Sequence, residues 1–260
     1  MPTTNVYFDL TEELNGDGRI AVLGSGQAVV WHRLAIMSKD GDWILRESPE
    51  ACARALRVLE QHGARYRLGA PLDVRWLEGG WSSHLELTDE RGRRVRCDFF
   101  TRPPRLSRAE LASLFEDRDS PPVVSIEMLV RMKQTQRAKD YAVIGELARR
   151  LEPELELRWT TDPDRVLELA PELGAGSSRP AVAAARTGDR RAVVRALAEE
   201  IDEMQVRDRD RLRVYEEASR PFLATLAALP REELRLPEGH RRVLDIAERL
   251  LPKVPRGAEP

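Results

Sequence analysis

The first hundred residues alternate short extended segments with helical ones, which limits the chain to folds that pack helices against a sheet. Residues 19–24 form an apolar run that ends at Gly24-Ser25-Gly26, and residues 27–36 contain no helix breaker. Residues 38–46 predict a turn followed by a strand, and residues 48–63 begin with Ser-Pro and end with Gly, as a capped helix does. The predicted order is strand, glycine turn, helix, strand, helix.

The next segment predicts the rest of the sheet and the end of a lobe. Residues 65–89 hold short extended pieces, and residues 93–100 alternate as a strand with one buried face does. The two prolines within residues 101–107 prevent regular structure there. We therefore expect an α+β protein in which residues 1–104 form a mixed sheet flanked by helices, and residues 105–260 form a mainly helical C-terminal lobe.

Helical patterns fill most of that lobe, and its Ala-, Gly- and Ser-rich segment predicts a loop that leads into a helix. The predicted helices cover 107–116, 125–136, 138–151, 188–219 and 238–251, and the loop covers 174–185.

Composition excludes some classes of protein. With 42 Lys and Arg against 44 Asp and Glu, the net charge is −2, so the chain does not bind nucleic acid through bulk positive charge, although a local basic patch remains open. Two cysteines make neither a disulfide framework nor a metal cluster. No apolar run reaches the roughly 18 residues of a membrane span, and the N-terminus lacks a signal pattern. We expect a cytoplasmic protein without a membrane partner.

Three motifs in the first lobe carry chemistry. Small residues at Gly24-Ser25 would let a phosphate approach the backbone, but such turns also form for geometric reasons alone. Asp40 and Asp42 are two apart at the start of a strand, so their side chains share a face and could bind hard cations, although Lys-Asp-Gly-Asp also fits a simple turn. Asp98 places a charge in a largely buried strand, which a metal, an Arg partner or an exposed strand end would each explain.

In this order the motifs resemble those of the polymerase-β-like nucleotidyltransferases. That family has an apolar residue before Gly-Ser, then Asp-x-Asp entering a strand, then a third carboxylate on a neighbouring strand. The matching positions are Leu23-Gly24-Ser25, Asp40-Gly41-Asp42 and Cys97-Asp98-Phe99. Two departures are that Gly41 replaces the usual apolar middle residue, and that the usual Arg shortly before Asp-x-Asp is missing, with Arg33 and Lys39 as the nearest cations.

Residues 124–151 are similar to the helical segment of the minimal, AbiEii-like branch, which carries a Lys and then Arg-x-Lys-Asp. The matching positions are Lys133, Arg137, Lys139 and Asp140. The resemblance implies that these basic residues contact a triphosphate or position the catalytic lobe. An exposed charged helix would show the same pattern.

The resemblance implies a metal-dependent nucleotidyltransferase. Asp40, Asp42 and Asp98 would be its catalytic residues and bind Mg²⁺ or Mn²⁺, and Asp98 would take up the acceptor's proton. Gly24, Ser25 and Lys39 would bind the nucleoside triphosphate together with the basic residues of the helical segment. The acceptor hydroxyl would belong to RNA, a protein or a small molecule.

Two other hypotheses stay open. One is a catalytically degenerate nucleotide-binding protein, or a regulatory protein of the toxin–antitoxin type with an antitoxin-like partner. The other is an interaction protein that functions through its helical half. The histidines, His84 among them, predict packing or surface roles because their spacing builds no zinc site. Trp81 follows Gly79-Gly80, which would fit either core packing or a mobile loop closing on a substrate.

Overall fold

The computed structural model describes residues 5–117, 119–230 and 233–258. It confirms the α+β class, because a five-stranded mixed sheet is flanked by helices and the described chain after the last strand is helical. The chain divides into two compact units. The first consists of Met1–Val124 and Arg213–Pro260, and the second of Ser125–Leu212.

Five strands and twelve helices occur in the described residues. The strands are β1 Ala21–Leu23, β2 Asp40–Leu45, β3 Arg65–Gly69, β4 Ser83–Thr88 and β5 Arg94–Phe100. The helices are α1 Val6–Leu14, α2 Ser25–Trp31, α3 Pro49–Gln61, α4 Val74–Leu77, α5 Arg108–Glu116, α6 Ile126–Met132, α7 Ala138–Ala148, α8 Pro153–Trp159, α9 Pro163–Leu173, α10 Pro180–Ala185, α11 Arg190–Ala227 and α12 Leu236–Leu250.

The sheet lies in the first unit and has the order β1-β2-β5-β4-β3. Strands β2 and β5 are parallel, and every other neighbouring pair is antiparallel. The parallel pair requires a crossover, which the chain makes through α3, β3, α4 and β4. This connection brings two strands that are distant in sequence, β2 and β5, side by side at the centre of the sheet.

One face of the sheet is apolar and carries the core of the first unit. The rings of Trp43 and Phe99 stack with centroids 5.2 Å apart, and the ring of Tyr7 from α1 lies 6.2 Å from that of Trp43. Helices α1, α3 and α12 supply further buried side chains, as do Phe222 and Leu226 near the end of α11. Burying these aromatic and aliphatic side chains is the main stabilisation available to the unit.

Gly41 lies in β2 under these rings. A Cβ at this position would come within 2.4 Å of Trp43 and 2.5 Å of Tyr7. The middle residue of Asp-x-Asp is therefore glycine because the two aromatic rings already occupy the space that an apolar side chain would fill. The glycine at this position, where the pattern has an apolar residue, therefore has a packing cause.

The second unit is helical and has its own small core. Helices α8, α9 and α10 and the first part of α11 pack around Leu157, Val166, Val182 and Val193. Residues Arg190–Leu212 of α11 belong to this unit, and Arg213–Ala227 to the first.

The predicted boundary after residue 104 differs from the division that the structure shows. Residues 105–124 remain in the first unit because their backbone bonds to it: Leu23 N donates to Pro122 O at 2.8 Å, and Val124 N donates to Leu23 O at 3.0 Å. The chain after Leu212 returns to that unit as well. Sequence patterns did not indicate this return, because no local signal distinguishes the two parts of α11.

Helices α1, α4, α8 and α9 were not predicted, and α4 lies within residues 65–89, where only extended pieces were expected. Helix α10 falls within the segment predicted as a loop leading into a helix. The helix predicted at 125–136 ends at Met132, and α11 runs beyond the predicted end at 219 to Ala227. None of the described helices combines the length and apolar character needed to span a bilayer.

Replacing Gly41 with Ala should destabilise the protein by about 1–3 kcal/mol, because the new methyl group overlaps the Trp43 and Tyr7 rings. Urea unfolding measured by tryptophan fluorescence would give the free energy. Gly16→Ala is the matched control, since its Cβ would meet only Glu13 O at 3.5 Å. Equal stabilities of the two variants would contradict the packing described here.

Candidate functional site

Three of the predicted carboxylates meet on the polar face of the sheet. Asp40 and Asp42 are half-buried and alternate along β2 with the buried Gly41 and Trp43. In the parallel pairing of β2 with β5, Asp42 lies opposite Asp98. Side chains of paired residues point to the same face. The structure therefore brings Asp40, Asp42 and Asp98 together on one face, as the sequence predicts.

The Gly24-Ser25 turn adjoins the same strand. Gly24 N donates to Asp42 O at 2.8 Å, which places the turn beside the Asp-x-Asp motif. Ser25 has a φ of +45°, a conformation uncommon for residues other than glycine. A Cβ on Gly26 would lie 2.2 Å from Ser38 Oγ, so a side chain there would have to displace the Ser38 side chain.

Two buried side chains fix the backbone just before Asp40. Gln27 Nε2 donates to Ser38 O at 2.9 Å, and Tyr7 Oη donates to Lys39 O at 2.6 Å. Burial raises the pKa of Tyr7 to about 12, so its hydroxyl remains a donor at neutral pH. These bonds hold the start of β2 in place, and with it the position of Asp40.

Basic side chains contact two of the carboxylates. Arg96 Nη1 lies 3.3 Å from Asp40 Oδ1, and Arg67 Nη2 lies 3.1 Å from Asp98 Oδ1. Arg96 is in register with Asp40, whereas Arg67 lies where the pairing of β3 with β4 shifts register between Tyr66 and Leu68. The polar face thus carries carboxylates and guanidinium groups in close alternation.

His84 also contacts Asp98, although the sequence predicted a packing or surface role for it. In the pairing of β4 with β5, His84 is opposite Asp98, and its Nδ1 lies 2.8 Å from Asp98 Oδ1. The Oγ of Ser82 lies 2.9 Å from the other ring nitrogen, Nε2. His84 and Ser82 are therefore part of the polar face.

The residues that sequence analysis missed are Arg67, Ser82, His84 and Arg96. Period-two alternation in β4 and β5 gives a signal for two of them, because it places His84 on the polar face of β4 and Arg96 beside Asp98 on β5. No signal indicates Arg67, because its direction depends on the register shift in β3.

The strand pairing places three carboxylates on one face, as a divalent-cation site requires, but the side chains are not grouped around a single point. Asp42 and Asp98 are cross-strand neighbours, and Asp40 shares their face. Among the described residues, however, no three His, Cys, Asp or Glu side chains are grouped as a metal site requires. Asp40 and Asp98 would have to turn from their arginine partners for the three carboxylates to share a cation.

A cleft of about 760 Å³ lies in the first unit and shares Arg96 with this face, but the three carboxylates of the face do not line it. Its lining carries four cations, Lys39, Arg93, Arg94 and Arg96, one carboxylate, Asp89, and side chains of α1 and α2. Lys39, predicted to bind nucleotide, is exposed there. The excess of cations gives the cleft a positive local charge although the whole chain is slightly acidic.

The other predicted basic residues lie in the second unit, where two of them pair with a carboxylate. Lys133 Nζ is 3.6 Å and Arg137 Nη2 is 2.8 Å from the carboxylate of Asp140, which is only 4% exposed. The hydroxyl of Thr135 donates to the same carboxylate at 2.6 Å. Lys139 is exposed. Their assignment to nucleotide binding remains a prediction.

Trp81 is a core residue, and the glycines before it are packed. Its Nε1 donates to Pro252 O at 2.9 Å, and its ring meets that of Tyr215 edge-on. A Cβ on Gly79 would lie 1.8 Å from Lys253 O. These contacts hold the segment in place, so the interpretation as a mobile loop was wrong.

No family model matches the sequence, and no curated protein matches it. One solved structure that resembles it is a crystal structure of a protein from H. pylori that is provisionally assigned as a nucleotidyltransferase. The two chains are 11% identical, and the alignment covers 79% of this chain and 96% of the other with a TM-score of 0.38. A likeness this distant does not establish a family.

Both cysteines should resist alkylation in the folded protein. Burial raises the pKa of Cys52 to about 12 and raises that of Cys97 well above its usual value, so neither forms much thiolate at pH 8. Both side chains are also almost fully buried. Mass spectrometry after brief iodoacetamide treatment should show no adduct on the native protein and two after unfolding in urea. Rapid native alkylation of Cys97 would contradict its placement on the core face.

Proposed function

We propose that the polar face of the first unit is the site of a metal-dependent nucleotidyltransferase. It would move a nucleotidyl group from a nucleoside triphosphate to a hydroxyl acceptor in RNA, a protein or a small molecule. The observation that carries the proposal is the register of β2 with β5, which sets Asp42 opposite Asp98 with Asp40 on the same face. The Gly24-Ser25 turn bonded to Asp42 supports it.

Asp40, Asp42 and Asp98 would hold Mg²⁺ or Mn²⁺, since carboxylate oxygens are the ligands that these cations prefer. Binding requires Asp40 to leave Arg96 and Asp98 to leave Arg67. Once bound, the cation would supply charge neutralisation for the phosphates and lower the pKa of the attacking hydroxyl.

The chain's own groups would position the reactants. Gly24 and Ser25 would hold the terminal phosphates, since small residues allow close approach to the backbone. Lys39 would add a positive charge beside them, because it is exposed and immediately precedes Asp40. Asp98 would accept the proton of the acceptor hydroxyl. Lys133, Arg137 and Lys139 are assigned to nucleotide binding by the family resemblance alone.

Arg96, once released, would then face an anion. Arg96 lines the positively charged cleft, so a guanidinium that leaves Asp40 can pair with a phosphate oxygen instead. An exchange of partners of this kind leaves no buried charge uncompensated, which keeps its cost small.

The ion pairs also favour a second candidate function, nucleotide binding without turnover. In this case Arg96 would stay on Asp40 and Arg67 on Asp98, and the positively charged cleft would bind the phosphates without a metal. A regulatory protein of the toxin–antitoxin type would fit this behaviour. The two functions differ in whether binding needs a divalent cation and whether pyrophosphate is released.

The experiment that tests the proposal is thermal unfolding with each of the four common nucleoside triphosphates, with and without Mg²⁺ or Mn²⁺. We expect one nucleotide to stabilise the protein by about 2.7 kcal/mol at a hundred times its Kd, and only with the metal. The double variant Asp40→Asn/Asp42→Asn should lose this effect, because neutral amides bind hard cations poorly. Asp17→Asn, an exposed site outside the polar face, is the matched control.

A parallel assay of pyrophosphate release separates the two functions. The wild type should release it in the presence of an acceptor, and the double variant should be at least about 100-fold slower. Metal-independent stabilisation without release would favour the binding protein. Absence of any nucleotide effect, with either metal, would contradict both functions.

A further inference from the structure

Exposed apolar side chains are concentrated between the end of α2 and the start of β2. Three of the nine large hydrophobic side chains that are exposed in the described residues lie within seven positions of the chain, at Trp31, Ile36 and Met37. Ile36 is 98% exposed and Met37 is 72% exposed, so their side chains contact almost nothing in the protein. A cluster of this kind is typical of a surface that contacts another molecule.

The loop that carries Ile36 and Met37 is anchored at both ends. Arg33 ends α2 in the left-handed conformation with a φ of +60°, and the residue after it donates to a carbonyl of the last helical turn. At the other end, Ser38 O and Lys39 O accept hydrogen bonds from buried side chains of α2 and α1. Ile36 and Met37 are therefore exposed on a loop that the first unit holds in position.

These two side chains belong to the lining of the cleft of about 760 Å³. The cleft has further apolar surface, which comes from Val6, Phe8, Val30 and Val95. The ring of Phe8 meets that of Trp31 edge-on, with centroids 5.1 Å apart, so Trp31 extends the same apolar surface. The cleft thus combines an exposed apolar part with its cations.

The positive charge of the cleft exceeds what the carboxylate in its lining neutralises. Asp89 lies 2.7 Å from Arg93, so these two residues form a pair. The side chain of Arg94 is 66% exposed and its Nε is 3.8 Å from Glu86, and an exposed pair at this distance contributes little. Lys39 is exposed as well. Arg94 and Lys39 therefore present positive charge to an occupant of the cleft.

An acidic amphipathic segment of a protein fits both features. Its apolar side chains would cover Ile36 and Met37, and its carboxylates would pair with Arg94 and Lys39. Methionine and arginine are both enriched at protein interfaces. A nucleic acid would pair with the cations but leave the aliphatic side chains uncovered, because bases stack on aromatic rings and guanidinium groups. A planar bilayer surface would cover the aliphatic side chains but would not enter a concave cleft.

We propose that this cleft, together with Ile36 and Met37, is the docking surface for an acidic amphipathic segment of a partner protein. A segment bound there would lie against Lys39, which precedes Asp40, and against Arg96, whose Nη1 is 3.3 Å from Asp40 Oδ1. It would therefore keep a nucleotide from these two cations and inhibit the site. The docking stands independently of the proposed function, whereas the inhibition rests on it.

The test is fluorescence anisotropy of a fluorescein-labelled synthetic peptide, with leucine and glutamate at helical spacing, titrated with the purified protein. The double variant Ile36→Ser/Met37→Ser should bind at least about tenfold more weakly than the wild type, because the burial of two aliphatic side chains is lost. Val206→Ser changes another exposed aliphatic side chain, which is 48% exposed, and should bind like the wild type. All three proteins should unfold at the same temperature, because the changed side chains are exposed.

The contribution of charge is measured in the same assay. Arg94→Glu should weaken binding of the acidic peptide at least about tenfold, and added salt should weaken binding to the wild type. Arg57→Glu is the matched control, because it makes the same change of charge at an exposed position of α3 outside the cleft. Peptides with serine in place of leucine, or lysine in place of glutamate, should each bind at least about tenfold more weakly.

Other probes decide between the kinds of partner. The inference is overturned if the acidic amphipathic peptide does not bind, or if it binds Ile36→Ser/Met37→Ser as tightly as the wild type. It is also overturned if the protein binds oligouridylate RNA more tightly than the peptide, which would make the cleft a nucleic-acid site. Tighter binding to phosphatidylserine vesicles would overturn it in favour of a membrane surface.

Competition with nucleotide separates the inference from the proposed function. With metal present, saturating peptide should raise the Kd of the stabilising nucleotide at least about tenfold for the wild type and leave it unchanged for Ile36→Ser/Met37→Ser. If the peptide binds but no nucleotide does, the proposed function fails and the docking surface stands. If peptide and nucleotide bind together without competing, the inhibition is overturned and the proposed function stands.

Discussion

The parallel pairing of β2 with β5 is the constraint on which the rest of the first unit depends. Its register places Trp43 beside Phe99 on one face and Asp42 beside Asp98 on the other. A shift by one residue would turn the aromatic rings outward and bury the carboxylates, which would be doubly costly. The stacked rings of Trp43 and Phe99 therefore specify the register, and the register builds the candidate site.

The sequence predicted those features that depend on local pattern. Alternation in residues 93–100 indicated a half-buried strand, and the spacing of Asp40 and Asp42 indicated a shared face, because both follow from the period of a strand. The pairing of the two strands is set by contacts between distant parts of the chain, and only the family resemblance pointed to it. The position of Arg67 depends on a register shift that no sequence pattern marks.

The motif at Lys133, Arg137 and Asp140 can be explained within the second unit. Asp140 is almost fully buried, and a buried carboxylate without partners would be strongly destabilising. Lys133 and Arg137 compensate its charge at the spacing of the motif, and the Thr135 hydroxyl donates a hydrogen bond to it. Part of the resemblance to the AbiEii-like branch therefore has a structural cause, and the carboxylates of the proposed site all lie in the first unit.

Charge balance on the polar face determines how a metal could bind there. Asp42 and Asp98 are neighbours of like charge, so the face needs cations nearby, and Arg67 and Arg96 supply them. A divalent cation would replace this compensation at the same carboxylates. Asp98 would then change partner from Arg67 and His84 to the metal, and the orientation of His84 would change with it. The state of Asp98 thereby links the binding of metal to the orientation of His84, since both contact the same carboxylate.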